Sequence, residues 1–201
     1  MRAPALDRDD VIAAVLASAR RAGAAVFTSN GNNSRAAYHL GDHPSVFYAM
    51  GSMGQVSLLA AGFARRTGVP VVAIDGDGAV AMGAAGLPTA ARIATNSFVH
   101  VAIDNSVYGT TGGQPVPVPP GWIEHLARGA GYARVLAVHD ADELASAMQT
   151  GFASGGATFV HAVVSTAAAN HYPRVAMDPA DVTRRFRVHW GHDPAGSGVR
   201  L

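Results

Sequence analysis

VVAIDGDGAVAMGAAGLPTAARIATNSFVHVAIDNSVYGTTGGQ, residues 71–114, decides how this chain folds. It opens on an apolar run, 71–74, that breaks abruptly into Asp75-Gly76-Asp77-Gly78. A second apolar run, 98–103, breaks in the same way into Asp104-Asn105. Each run reads as a buried strand that delivers an oxygen ligand at its carboxyl end, and in an open parallel sheet that edge is where ligands bind. Asp77 offers a carboxylate and Asn105, 28 residues later, an amide oxygen. Both are hard donors that suit Mg²⁺ or Ca²⁺ and not a soft metal. The glycines flanking Asp77 let backbone N–H groups come close to an anion.

Outward from this stretch the chain alternates helices and strands. Asp7 or Asp9 is placed to cap a helix to about Arg21, with Val11, Ile12, Val15 and Leu16 on one stripe and Gly23 as its stop. Residues 24–28 read as a short buried strand, 29–35 (SNGNNSR) as a polar loop, 34–40 as a short helix and 46–48 as a strand. Gly51-Ser52-Met53-Gly54 precedes a helix to about Arg66, stopped by Gly68. Residues 87–94 form a helix with Pro88 in its first turn, where the missing N–H costs nothing. Residues 108–120 are a Gly/Pro-rich loop of the length that accompanies function or disorder. A helix over 122–130, a strand over 135–138, a helix over 140–152 capped by Asp140 with Glu143 at its third position, and a strand over 158–164 complete the pattern. The prediction is an α/β fold, a doubly wound, mainly parallel six-stranded sheet. Residues 1–165 make the domain, and 166–201 a tail with a short helix over 180–188.

Composition narrows the chemistry. The 201 residues suffice for one core-rich domain, with 49% hydrophobic and 14% charged residues suiting a surface partly covered by partners. A formal charge of +1 gives no electrostatic case for nucleic acid. Absence of cysteine excludes disulfides, iron–sulfur ligation and thiol catalysis. All 15 basic residues are Arg, which excludes a Walker lysine or a Schiff base on this chain. No apolar run approaches the ~20 residues that span a bilayer. With Asp7, Asp9 and Asp10 the N-terminus lacks the character of a signal peptide, and the expected location is cytoplasmic.

Gly76-Asp77-Gly78 followed after a strand–helix–strand interval by Asn105 resembles the motif of thiamine diphosphate-dependent 2-oxoacid decarboxylases. The ending Asp104-Asn105 with Thr110-Thr111-Gly112-Gly113-Gln114 narrows the likeness to phosphonopyruvate and sulfopyruvate decarboxylases. The resemblance implies a thiamine diphosphate-binding fold in which Asp77, Asn105 and the Val107 carbonyl hold Mg²⁺, and the metal clamps the cofactor diphosphate. Gly76, Gly78, Ala79 and Tyr108 would line the same cofactor. Gly51-Ser52-Met53-Gly54 looks like the segment that grips the aminopyrimidine, with the Gly51 carbonyl and Met53 N–H bonding the ring and the Met53 side chain wedging the cofactor into a bent shape. Asn30-Gly31 aligns with a Thr-Gly loop that touches the diphosphate. Asn stands here where Thr is usual, which leaves open which side chain meets phosphate. On the same likeness Met53, Tyr108 and Gln114 are the candidate catalytic residues. Arg35 and the loop 110–114 are candidates for the acidic groups of a substrate, and His171 and Tyr172 for proton donors.

The resemblance also implies a missing half. Such enzymes take an activating glutamate from a pyrimidine-binding domain, and this chain has only Glu124 and Glu143, neither in the context of a second α/β unit. It therefore looks like the β subunit of a split decarboxylase, assembled as α₂β₂ with a pyrimidine-binding α subunit and acting on a small 2-oxoacid with a phosphonate or sulfonate tail. Two other readings stay open: a β-type subunit of another thiamine diphosphate enzyme, oxidoreductase or acyloin-forming, and a non-catalytic Rossmann-like nucleotide binder.

Overall fold

The computed structural model describes residues 6–94, 97–153, 155–165 and 170–191. Helix α1 (Arg8–Arg21) is capped by Asp7, whose carboxylate accepts from the Asp10 N–H, and it buries the predicted stripe Val11, Ile12, Val15 and Leu16 together with Ala19. Then follow β1 (Ala25–Thr28), α2 (Asn32–Gly41), β2 (Val46–Tyr48), α3 (Val56–Thr67), β3 (Val71–Gly76), α4 (Asp77–Met82), a 3₁₀ turn (Ala84–Gly86), α5 (Leu87–Ile93) and β4 (Phe98–Asp104). The second half adds α6 (Trp122–Gly129), β5 (Arg134–Val138), α7 (Ala141–Ala153), β6 (Ala157–Val163) and α8 (Pro179–His189). The capping box at α7 forms as read: Asp140 Oδ1 accepts from the Glu143 N–H, and Glu143 Oε2 from the His139 N–H.

The six strands lie in the order β2-β1-β3-β4-β6-β5, and every pairing is parallel. Successive strands run outward from β1 in one direction and from β3 in the other, so the order reverses between β1 and β3. That switch point leaves a crevice at the carboxyl ends of the central strands. Alternate residues of the buried strands feed two cores, one per face. Val72, Ile74, Val99 and Val101 meet α1, α2 and α7, whereas Ala73, Phe98 and Phe159 meet α3, α5 and α6.

Helix α8 covers the β2 edge. Val182 enters one core, and Phe186 packs at 5.1–5.5 Å from the rings of Phe27, Phe47 and Phe63 in the other. A covered edge offers no row of free N–H and C=O groups to a foreign strand. Of the predicted tail, residues 166–169 and 192–201 lie outside the described residues.

Three local expectations need correction. The polar stretch 29–35 is a loop only to Gly31, because α2 begins at Asn32 and draws Asn33 and Ser34 inside. From the sequence no helix is expected between 76 and 87, yet α4 starts at Asp77 itself. Strand β3 also runs two residues beyond the apolar run, because Asp75 faces the interior and finds a partner there: its Oδ2 lies 3.0 Å from His100 Nε2, and His100 Nδ1 lies 2.8 Å from the Tyr132 hydroxyl. No described helix is long and apolar enough to cross a membrane.

Candidate cofactor and metal site

Strand ends and the loops after them enclose a cleft of about 290 Å³. From β1 and the loop beyond it come Ser29 and Asn30, from the start of α2 Asn32 and Asn33, from β3 and α4 Gly76, Asp77, Gly78 and Ala79, and from beyond β4 Asn105, Val107 and Tyr108. Met53 adds a half-buried thioether wall. Asn30, Met53, Gly76, Asp77, Gly78, Ala79, Asn105, Val107, Tyr108, Thr110 and His171, all singled out in the sequence, thus meet in one cleft.

Gly31, Gly51, Ser52 and Gln114 lie outside its lining. Gly31 sits beneath the Thr110 side chain with φ +82°, Gly51 and Ser52 are exposed with positive φ, and Gln114 Oε1 is taken up by the Thr111 hydroxyl and the Gly112 N–H of its own loop. Arg35 does not reach the lining, and Tyr172 is directed elsewhere, its hydroxyl donating to Asp9 Oδ2 and its ring stacked on His39. His171 does line the cleft. So does Arg8, which the sequence offered no reason to select; its Nη2 donates to the Asn170 carbonyl and thereby ties the start of α1 to the segment carrying His171.

Two close approaches fix the backbone around the motif. A β-carbon on Gly83 would lie 2.1 Å from the Gly54 carbonyl oxygen, so the Gly-Ser-Met-Gly segment and the end of α4 meet backbone to backbone. A β-carbon on Gly78 would strike the Tyr108 ring. Only glycine permits either contact.

Asp77 is 5% exposed. Its Oδ1 accepts from the Gly78 N–H at 2.8 Å, while its Oδ2 is buried without a hydrogen-bond partner. Burial, reinforced by the neighbouring Asp104 carboxyl, pushes Asp77 up to about 7. Asp104 goes the other way, to about 2: burial alone would raise it, but the hydrogen bond from His161 outweighs that cost. Asn105 Oδ1 accepts a 3.3 Å bond from the Val107 N–H.

An all-parallel, doubly wound sheet with a Gly-Asp-Gly helix start and an Asn at neighbouring strand ends defines an α/β cofactor-binding domain. Residues 29–162 match the sequence model described as thiamine pyrophosphate enzyme, C-terminal TPP binding domain, and the chain belongs to that family. It is 36% identical over 176 residues to a phosphonopyruvate decarboxylase of Streptomyces viridochromogenes, covering 88% of this chain and 44% of that protein. It is 32% identical over 161 residues to a sulfopyruvate decarboxylase subunit beta of Methanothermobacter thermautotrophicus, covering 80% of this chain and 84% of the relative. The chain therefore spans less than half of the former and most of the latter. In fold it superposes on a thiamine diphosphate-dependent 4-hydroxybenzoylformate decarboxylase of Rhodococcus jostii with a TM-score of 0.66 at 24% identity, over 82% of this chain and 33% of that one.

Proposed function

We propose that this chain is the diphosphate-binding β subunit of a heteromeric thiamine diphosphate- and Mg²⁺-dependent decarboxylase acting on a 2-oxoacid with a phosphonate- or sulfonate-like tail. The observation that carries the reading is the Asp77 carboxylate, buried at a strand end with one oxygen unpartnered, in the same cleft as Asn105 and Val107. An unsatisfied buried acceptor is costly. A hard divalent cation would satisfy it, and carboxylate, amide and carbonyl oxygens are the donors Mg²⁺ takes alongside phosphate.

Asp77 Oδ2, Asn105 Oδ1 and the Val107 carbonyl would hold the cation, and the backbone around Gly76 and Gly78 would admit the diphosphate. Met53 would press the cofactor into its bent form, and Asn30 would sit against the phosphates. Bound thiamine diphosphate supplies addition to the substrate keto carbon and a store for the electron pair left by CO₂. His171, at the cleft, would hold a proton there; Arg8 also lines the cleft, with its guanidinium paired to Asp9.

The need for a partner is supported by the two glutamates. Glu143 caps α7, Glu124 bonds His161 through one oxygen, and neither lines the cleft, so neither stands where an aminopyrimidine would be activated. Relatives named subunit beta support the same split. The assembly proposed is α₂β₂, in the cytoplasm. The test is a panel of 2-oxoacids, with and without acidic tails, assayed with the chain and its pyrimidine-binding partner in the presence of thiamine diphosphate and Mg²⁺. CO₂ release from the acidic-tailed acids is expected, and its absence across the panel rejects the proposal.

A further inference from the structure

A chain of hydrogen bonds runs from helix α6 across β6 to the strand end that carries Asn105. Glu124 Oε1 lies 2.9 Å from His161 Nδ1, and His161 Nε2 lies 2.9 Å from Asp104 Oδ2. The His161 side chain is only 6% exposed. With a carboxylate on each ring nitrogen, both nitrogens donate at once only when the ring is the imidazolium. The second Asp104 oxygen, Oδ1, accepts from the Ser106 N–H at 2.8 Å and from its hydroxyl at 3.2 Å.

Ser106 is what makes this chain more than a staple. Its φ is +60°, a left-handed conformation that a residue with a side chain keeps only when its surroundings impose it. Asp104 imposes it. The turn so held carries Asn105 and Val107 into the cleft beside Asp77. Both Asp104 oxygens are engaged, one by Ser106 and the other by His161.

We infer that His161 and Glu124 are positioning residues for the cation site: by fixing Asp104 they hold the Ser106 turn, and with it Asn105 and Val107, in register with Asp77. This rests on the proposed ligand set. Groups that orient metal ligands from behind are worth ~10- to 100-fold in metal affinity when removed. Glu124, the outer member, should matter less than His161, because Asp104 alone still pairs with the ring.

The experiment uses the full chain, with its partner subunit where that is needed to retain thiamine diphosphate, and Mn²⁺ as the probe. Free Mn²⁺ is read from its electron paramagnetic resonance signal at saturating cofactor, and ligand-free Tm is measured alongside. His161→Leu is expected to weaken Mn²⁺ binding by ~10-fold or more. His161→Gln, whose amide still donates to Asp104, recovers part of that loss, and Glu124→Gln gives the smallest change. A His161→Leu protein that melts earlier but binds Mn²⁺ as tightly as the wild type overturns the inference, since the network then only fastens α6 to the sheet. If the leucine variant does not fold, wild-type affinity in both glutamine variants overturns it equally. Asp77→Ala is the control: undiminished Mn²⁺ binding there rejects the ligand set itself, whereas its loss with unchanged His161 variants rejects only the positioning role.

Discussion

The Tyr108 ring stands where a side chain on Gly78 would begin: a β-carbon built on Gly78 lies 2.3 Å from Tyr108 Cε1. Tyr108 belongs to the long loop after β4 and Gly78 to the first turn of α4, so one small contact locks the loop onto the motif. Gly78→Ala must push the ring and its loop outward. Overpacking of this kind costs ~1–3 kcal/mol, and cofactor affinity should fall with it. Tyr108→Ala vacates the space, so Gly78→Ala added to Tyr108→Ala should cost less than Gly78→Ala alone. A thermal double-mutant cycle reads the coupling, and additivity within about 0.5 kcal/mol would show that the two residues do not interact.

Asp77→Ala and Asn105→Ala separate the cost of the site from its use. A buried carboxylate with an unpartnered oxygen is paid for by desolvation, so Asp77→Ala should leave the ligand-free protein as stable as the wild type or more so. In the assembled protein the ligand-dependent gain should disappear from both variants. Cofactor at 100 times its dissociation constant adds about 2.7 kcal/mol to a folded protein. Calorimetry with and without thiamine diphosphate and Mg²⁺ measures the difference, and equal cofactor binding with and without Mg²⁺ argues against these residues as ligands.

Much of this was legible because it rests on local rules. Apolar runs gave all six strands, the capping box at Asp140 and Glu143 gave α7, and oxygen-bearing side chains at two run ends gave the cleft. Long-range pairing was not legible. Asp75 reads as part of a turn until His100, from the next strand, is seen to receive it. Glu124 reads as an ordinary first-turn acid until His161, 37 residues on, lies beside it. Arg8 enters the cleft only because the segment before α1 pairs beyond β6, Leu6 with Val164. The aromatic nest around Phe186 was equally invisible, since its rings come from β1, β2, α3 and α8.

Alkaline pH should loosen the ligand-free protein. His161 is raised above its usual 6.5: burial alone would lower it, but the Asp104 and Glu124 carboxylates outweigh that. A group raised on folding contributes fully below its unfolded pKa, and the contribution fades as pH climbs through the folded value. Asp77, raised from 3.8 to about 7, carries the same sign and loses its contribution as pH rises from about 4 to 7. Ligand-free Tm should therefore drop as pH climbs from about 4 to 7 and go on dropping above the usual histidine value of 6.5, and Mg²⁺ with cofactor should narrow the drop by taking the place of the Asp77 proton. A Tm that stays level or rises over that window contradicts both assignments.

By itself the chain should turn over no 2-oxoacid. On the proposed reading, activation of the cofactor needs a carboxylate on its aminopyrimidine, and positioned acid–base groups of this kind contribute ~10²- to 10⁴-fold. Glu143 Oε2 is held by the His139 N–H, and Glu124 Oε1 by His161. Glu124 also lies outside the cleft lining, and drawing it away would take one of the two carboxylates from the His161 ring. Around the Gly-Ser-Met-Gly segment, Met50 and Met82, outside the cleft lining, are 39% and 65% exposed. An open site leaves water at the reacting atoms, and the electrostatic stabilisation that a dry site strengthens is weakened there. A partner that closes this side would exclude the water and bring the carboxylate in one step. Purified chain, saturated with thiamine diphosphate and Mg²⁺ and assayed for CO₂ release before and after addition of the pyrimidine-binding subunit, should switch from inactive to active. Robust turnover by the chain alone would mean that its own glutamates, or a second copy of the chain, complete the site.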